Sequence, residues 1–119
     1  MLLWVGVVMA GGVGSLLRFV VDGAVARRVA RPFPVGTLTV NTTGAALLGL
    51  IGGLALSRHA ALLADTAFIG AYTTFSTWML ETQRLAEERQ VYYALANIVV
   101  SVALGIGAAL LGQWIAEQL

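Results

Sequence analysis

The chain has 119 residues, of which 59% are hydrophobic and 11% are charged, and its formal net charge is +1. Soluble domains carry about 25% charged residues, so water cannot be the main solvent of this chain. We expect one membrane-embedded domain over residues 1–119, held by the lipid bilayer. The small net charge excludes an electrostatic nucleic-acid partner, and the absence of Cys excludes disulfides and thiolate metal sites.

The first apolar run, from Leu2 to about Val21, predicts a transmembrane helix. No basic residue precedes the run and further spans follow it, so it does not read as a cleaved signal peptide. Arg18 is expected within one turn of the helix end, where its guanidinium can reach the headgroups. The polar connection 22–34 contains two prolines, which predict that the second span begins near Val35 and continues to about Leu56.

The third apolar run extends from Ala60 to about Leu80, and the fourth from Val91 to about Ile115. Four helices with short connections predict antiparallel neighbours, and Gly49 with Gly53 predicts close helix packing. Residues 70–78 crowd glycine and hydroxyl side chains into the third span. They predict a third helix that is broken in the middle of the membrane, where irregular backbone must lie inside protein or beside a cavity.

Two predicted helices carry polar side chains at a spacing of four residues. Thr37 and Asn41 lie on the second helix, and Tyr93, Asn97 and Ser101 lie on the fourth. Because residues four apart share a helix face, each helix presents a track of neutral hydrogen-bond donors. Such a track suits an anion, since a cation needs oxygen ligands and a proton relay needs a titratable group. The alternative is that these side chains only join neighbouring helices.

Phe75 and Trp78 lie three residues apart and share a face of the third helix. An aromatic ring edge carries partial positive charge and can meet a small anion, although lipid contact or core packing is the simpler alternative. Glu81 and Arg84 have the same spacing and predict an interfacial ion pair. No nucleophile with a base, metal cluster or phosphate loop can be assembled, so we do not expect an enzyme.

Three motifs occur along the chain in a specific order. They are Gly11-Gly12-Val13-Gly14 with Arg18, Gly36-Thr37-Leu38 with Asn41 and Gly44, and the segment from Gly70 to Glu81. In these motifs the chain resembles the Fluc, or CrcB, fluoride channels over essentially its whole length. The resemblance implies an antiparallel dimer of four-helix subunits with two pores, through which fluoride leaves the cell passively across the plasma (inner) membrane. It also implies a structural sodium ion at the dimer centre.

The pore residues implied by the resemblance are Thr37, Asn41, Phe75, Trp78, Tyr93, Asn97 and Ser101. Main-chain carbonyls of Gly70 and Thr73 would hold the sodium ion, and Arg18 would lie at a vestibule or at the dimer interface. The chain departs from the family at two positions, because the family more often has Ser where Asn97 stands and Phe where Trp78 stands.

Two other classes of membrane protein compete with this interpretation. A small multidrug-type transporter also has four short spans, but such carriers need a carboxylate in the first helix, and residues 2–17 contain none. A noncatalytic membrane assembly subunit would leave the polar tracks unexplained.

The basic residues predict the orientation of the chain. Six of the seven lie on one predicted membrane face, with only Arg58 on the other. Because basic residues near short loops remain cytoplasmic, both termini are expected outside the cytoplasm. A chain that inserted both ways would balance these charges, so two forms of antiparallel dimer stay open: a homodimer, and a pair with a homologous subunit of opposite orientation.

Overall fold

A computed structural model describes residues 1–29 and 32–119, which contain helices and no strand. The all-helical class is therefore confirmed for these residues, whereas Arg31, one of the basic residues counted above, lies outside them. The helical elements are α1 (Leu2–Arg28), α2 (Val35–Leu54), α3 (Arg58–Ala61), a π-helical segment (Leu62–Ile69), α4 (Gly70–Tyr72), α5 (Ser76–Glu87) and α6 (Val91–Glu117). Three of them, α1, α2 and α6, are long and apolar enough to cross a membrane.

Helix α1 continues past the predicted end near Val21 and stops at Arg28. That prediction was wrong because it equated the apolar span with the helix. Residues 22–28 contain no proline and several good helix formers, so the helix can extend beyond the hydrocarbon layer. Arg18 consequently precedes the helix end by about ten residues, roughly 15 Å at the α-helical rise, and does not lie in its last turn.

Helices α2 and α6 pack with their backbones in close contact. A Cβ atom added to Gly49 would collide with the carbonyl oxygen of Ala109, and one added to Gly53 would lie 2.6 Å from the Cβ atom of Ala116. On the opposite helix, a Cβ atom at Gly112 would collide with the main chain of α2. The close packing predicted at Gly49 and Gly53 is confirmed, and it fixes α6 against the helix that carries Asn41.

Gly49→Ala is expected to destabilise the protein, because the new methyl group must push α2 and α6 apart. Overpacking of this kind costs about 1–3 kcal/mol, more than the helix propensity that alanine gains over glycine. The matched control is Gly52→Ala on the same helix, where a Cβ atom meets nothing within 4 Å. Thermal unfolding in detergent compares the variants, and equal midpoints would contradict the packing argument.

The chain between α2 and α6 forms a helical run that stops at Tyr72 and resumes at Ser76. Thr73 is extended, with φ −80° and ψ 162°. The Tyr72 hydroxyl lies 2.8 Å from the Thr43 hydroxyl on α2, which ties the end of the first run to the bundle. Helix α5 then continues to Glu87, beyond the predicted end of the apolar run near Leu80.

Candidate functional site

The side chain of Asn41 holds the interruption between α4 and α5. Its Oδ1 accepts a hydrogen bond from the Thr74 main-chain N–H at 2.8 Å, and its Nδ2 donates to the Thr74 carbonyl at 2.9 Å. The amide thereby replaces hydrogen bonds that the interrupted helix cannot make to its own backbone. A primary amide carries two N–H donors, so one remains for another acceptor.

The same interruption leaves several main-chain carbonyl groups without their helical partners, and those of Gly70 and Thr73 are among them. In a continuous helix, the Thr74 N–H would bond to Gly70 O and the Thr77 N–H would bond to Thr73 O. Instead, the Thr74 N–H donates to Asn41, and the Thr77 N–H donates to Thr74 Oγ1 at 3.2 Å. The carbonyl oxygens of Gly70 and Thr73 are thus left for another ligand, and neutral oxygens of this kind suit a monovalent cation.

Two cavities, of about 270 and 280 Å³, lie on either side of Asn41 and Trp78. Both cavities are lined by these two side chains, which therefore stand between them. We call the pair of cavities the Asn41 groove; its other polar, aromatic or glycine lining residues are Gly44, Thr73, Thr74, Phe75, Ser101 and Gly105. No ionisable side chain is among the described residues that line the groove.

Two aromatic rings meet in the Asn41 groove. The ring centroids of Phe75 and Trp78 are 5.7 Å apart with an interplanar angle of 81°, an edge-to-face contact. Phe75 is 71% exposed, so its ring is largely free of contacts within the chain. The indole Nε1 of Trp78 donates to the carbonyl of Asn97 at 3.2 Å. The indole N–H is therefore engaged within the chain, which leaves the ring atoms of Trp78 to line the groove.

Thr37 lies one turn before Asn41 on α2 but lines a different cavity. That cavity, of about 240 Å³, also contains the side chains of Arg18, Asp22 and Thr77. Thr37 is only 2% exposed, and its buried hydroxyl group faces the side chain of Glu81 on α5.

The polar residues of α6 are not equivalent. Ser101 lines the Asn41 groove, whereas Asn97 is 0% exposed and donates through Nδ2 to Thr82 Oγ1 at 2.8 Å. Tyr93 lies apart from both and packs its ring against Phe33, with centroids 6.3 Å apart. The structure thus brings Asn41, Phe75, Trp78 and Ser101 together and places the other three predicted pore residues, Thr37, Tyr93 and Asn97, outside the groove.

Sequence reasoning overlooked Asp65. It lies in the π-helical segment, and its Oδ1 is buried without a hydrogen-bond partner. It lines a cavity of about 580 Å³ beside Trp4, Arg58 and His59. The signal was present in the sequence, because a carboxylate inside an apolar run is a functional-site hypothesis by default. Glu81 lies within range of the charge of Arg84, with which it was predicted to pair, and it also faces the Thr37 hydroxyl.

Comparison with known proteins adds a second line of evidence. The family model described as CrcB-like protein, Camphor Resistance (CrcB), matches residues 5–113. A protein of Mycolicibacterium paratuberculosis named fluoride-specific ion channel FluC 2 is 76% identical over 114 residues, which cover 96% of this chain and 93% of the relative. The FluC 2 protein of Mycobacterium tuberculosis is 72% identical over 97% of this chain and 91% of its own length.

A more distant relative shows the same coverage. The fluoride-specific ion channel FluC 1 of Streptomyces avermitilis is 44% identical over an alignment of 120 positions, which covers 98% of this chain and 97% of the relative. The resemblance drawn from the sequence motifs is confirmed by these matches.

Proposed function

We propose, because this chain belongs to the CrcB-like family, that it forms a fluoride-selective ion channel which lets cytoplasmic fluoride leave passively across the plasma membrane. The observation that carries the proposal is the Asn41 groove, which offers an amide N–H and aromatic rings but no ionisable lining residue among those described. A desolvated small anion needs such donors to replace its water. Fluoride enters acidified cells as neutral hydrogen fluoride, so a passive exit for the anion suffices.

The cavity around Thr37 supports a role in leading the anion toward the groove. Arg18 supplies a positive charge there, and Thr37 and Thr77 supply hydroxyl groups. Thr74 lines both this cavity and the groove, so the two are adjacent. We assign Arg18 to this vestibule, which Asp22 also lines, as the cationic partner of an entering anion.

The exposed wall of the groove supports an antiparallel dimer. Phe75 remains 71% exposed in a single chain, and Leu48, Val102 and Ile106, which also line the groove, are exposed with it. An ion that crosses the membrane must be shielded from lipid along its path, so a second subunit is needed to cover this exposed face. Reporter fusions at Leu119 test the arrangement: signal only outside supports a fixed orientation and a homologous partner, while signal on both faces supports a homodimer.

The free carbonyl oxygens of Gly70 and Thr73 support a structural sodium site. Gly70 is exposed, and a Cβ atom there would meet nothing within 4 Å, so its carbonyl can approach a second subunit. Neutral oxygens favour a monovalent ion, since a divalent ion normally requires carboxylates. Sodium would be coordinated by these carbonyl oxygens at the dimer centre.

An efflux measurement on purified protein in liposomes tests both parts of this proposal. We expect fluoride to leave rapidly and chloride to be retained, because a narrow site of neutral donors and ring edges fits larger halides poorly. Equal fluxes of the two halides would refute fluoride selectivity. Protein prepared with N-methyl-D-glucamine in place of sodium should lose dimer stability and flux, and unchanged behaviour would refute the sodium site alone.

A further inference from the structure

Trp78 and Asn97, two of the residues that the resemblance implies for the pore, are in direct contact. Trp78 on α5 and Asn97 on α6 are 19 positions apart, yet each side chain reaches the backbone of the other residue. The indole Nε1 donates to the Asn97 carbonyl at 3.2 Å, and Asn97 Nδ2 approaches the Trp78 carbonyl at 3.5 Å. Phenylalanine and serine at these positions could form neither the indole hydrogen bond nor the amide bridge.

Neighbouring hydroxyl groups complete this contact. Thr82 Oγ1 donates to the Trp78 carbonyl at 2.9 Å and accepts from Asn97 Nδ2 at 2.8 Å. Ser101 Oγ lies 3.4 Å from Asn97 Oδ1. Every hydrogen-bonding group of the buried Asn97 side chain is thereby engaged, which is what a fully buried amide requires.

The location of this contact gives it a consequence for transport. Trp78 lines both cavities of the Asn41 groove and, with Asn41, stands between them. An ion that moves from one cavity to the other must pass the indole. Asn97 is 0% exposed and does not touch the groove, so any influence it has on the ion is exerted through Trp78.

We infer that Trp78 is the constriction of the groove in this chain and that Asn97 is the positioning residue that fixes its indole, a contact we call the Trp78–Asn97 latch. The inference rests on the proposed channel function. The latch directs the single indole N–H toward α6, so that only ring atoms face the ion. Without this contact the indole can rotate into the groove, because its single N–H makes the only hydrogen bond that holds the ring.

A spectroscopic experiment tests the latch without reference to transport. Trp4→Phe and Trp114→Phe, at two exposed positions, leave Trp78 as the only tryptophan. In this background, Asn97→Ser should red-shift the indole emission and increase its quenching by acrylamide. The control Val99→Ala, at a 64% exposed position outside both cavities, should change neither. If the emission of a folded Asn97→Ser protein is unchanged, the latch is refuted. This outcome does not depend on fluoride transport, so it is distinct from a failure of the proposed channel function.

Fluoride efflux tests the consequence. Asn97→Ser should lower fluoride flux about tenfold, equivalent to 1.4 kcal/mol or one lost hydrogen bond. The double variant Trp78→Phe/Asn97→Ser should recover most of that loss, since the smaller ring needs no latch. If the free-energy loss in the double variant equals the sum of the losses in Trp78→Phe and Asn97→Ser measured singly, the positioning role is refuted. If Asn97→Ser does not fold, Thr82→Val removes the acceptor of Asn97 and carries the same expectations.

Discussion

Replacing Asn41 by alanine is expected to lower fluoride flux about a hundredfold, because a lost hydrogen bond to a charged group is worth about 1.5–3 kcal/mol. The amide stands between the two cavities of the groove and retains one N–H beyond its bond to Thr74. Its removal also releases the Thr74 backbone, which Asn41 holds at 2.8 and 2.9 Å. Efflux from liposomes measures the flux, and circular dichroism measures the remaining helicity.

Thr42→Val is the matched control for this variant. Thr42 is the next residue on the same helix, and its hydroxyl is buried without a partner. Valine has nearly the same shape and removes an unsatisfied polar group, so stability should be unchanged or higher and flux should persist. Normal fluoride flux through folded Asn41→Ala protein would show that the ion does not travel through the groove.

Phe75→Ile is expected to lower fluoride flux about two- to tenfold while leaving thermal stability nearly unchanged. The ring is 71% exposed and contacts Trp78 edge to face, so the fold gains little from it. Isoleucine preserves apolar volume but lacks the positive ring edge, which contributes about 0.5–1.5 kcal/mol in favourable contacts.

Phe68→Leu provides the reciprocal control. Phe68 stacks on Tyr72 with centroids 6.2 Å apart and lies outside the groove. Loss of the Phe68 ring should lower the unfolding temperature of the protein and leave the ratio of fluoride to chloride flux unchanged. A Phe75→Ile protein that conducts like the wild type, or a Phe68→Leu protein that loses selectivity, would contradict the assignment of the aromatic pathway.

The helices follow from local properties of the sequence. Long apolar runs with few charges can only satisfy their backbone polar groups in lipid as helices, which is why membrane spans were predictable. Pro34 marks the start of α2 at Val35, as expected from a residue that cannot continue a preceding helix. Glycines at a spacing of four residues predicted close packing of α2, because small residues allow close backbone approach, and the structure shows that the partner helix is α6.

Helix ends were less predictable from hydropathy. The apolar run ends near Val21 while α1 ends at Arg28, because hydrogen bonding in the helix does not depend on the surrounding solvent. Hydropathy also does not single out Asp65, because the apolar run continues across this one acidic residue. In the structure its Oδ1 is buried without a hydrogen-bond partner, and the residue lines a cavity.

The sequence by itself determined the class of protein and its long apolar helices, and four of the seven predicted pore residues line the groove, because periodicity fixes which side chains share a helix face. Tertiary structure alone decided what each face meets. Thr37 and Asn41 share one face of α2, but they line different cavities, which meet at Thr74. Asn97 and Ser101 share a face of α6, but α5 covers only the first of them. These outcomes depend on contacts between residues distant in the chain, which helical spacing does not encode.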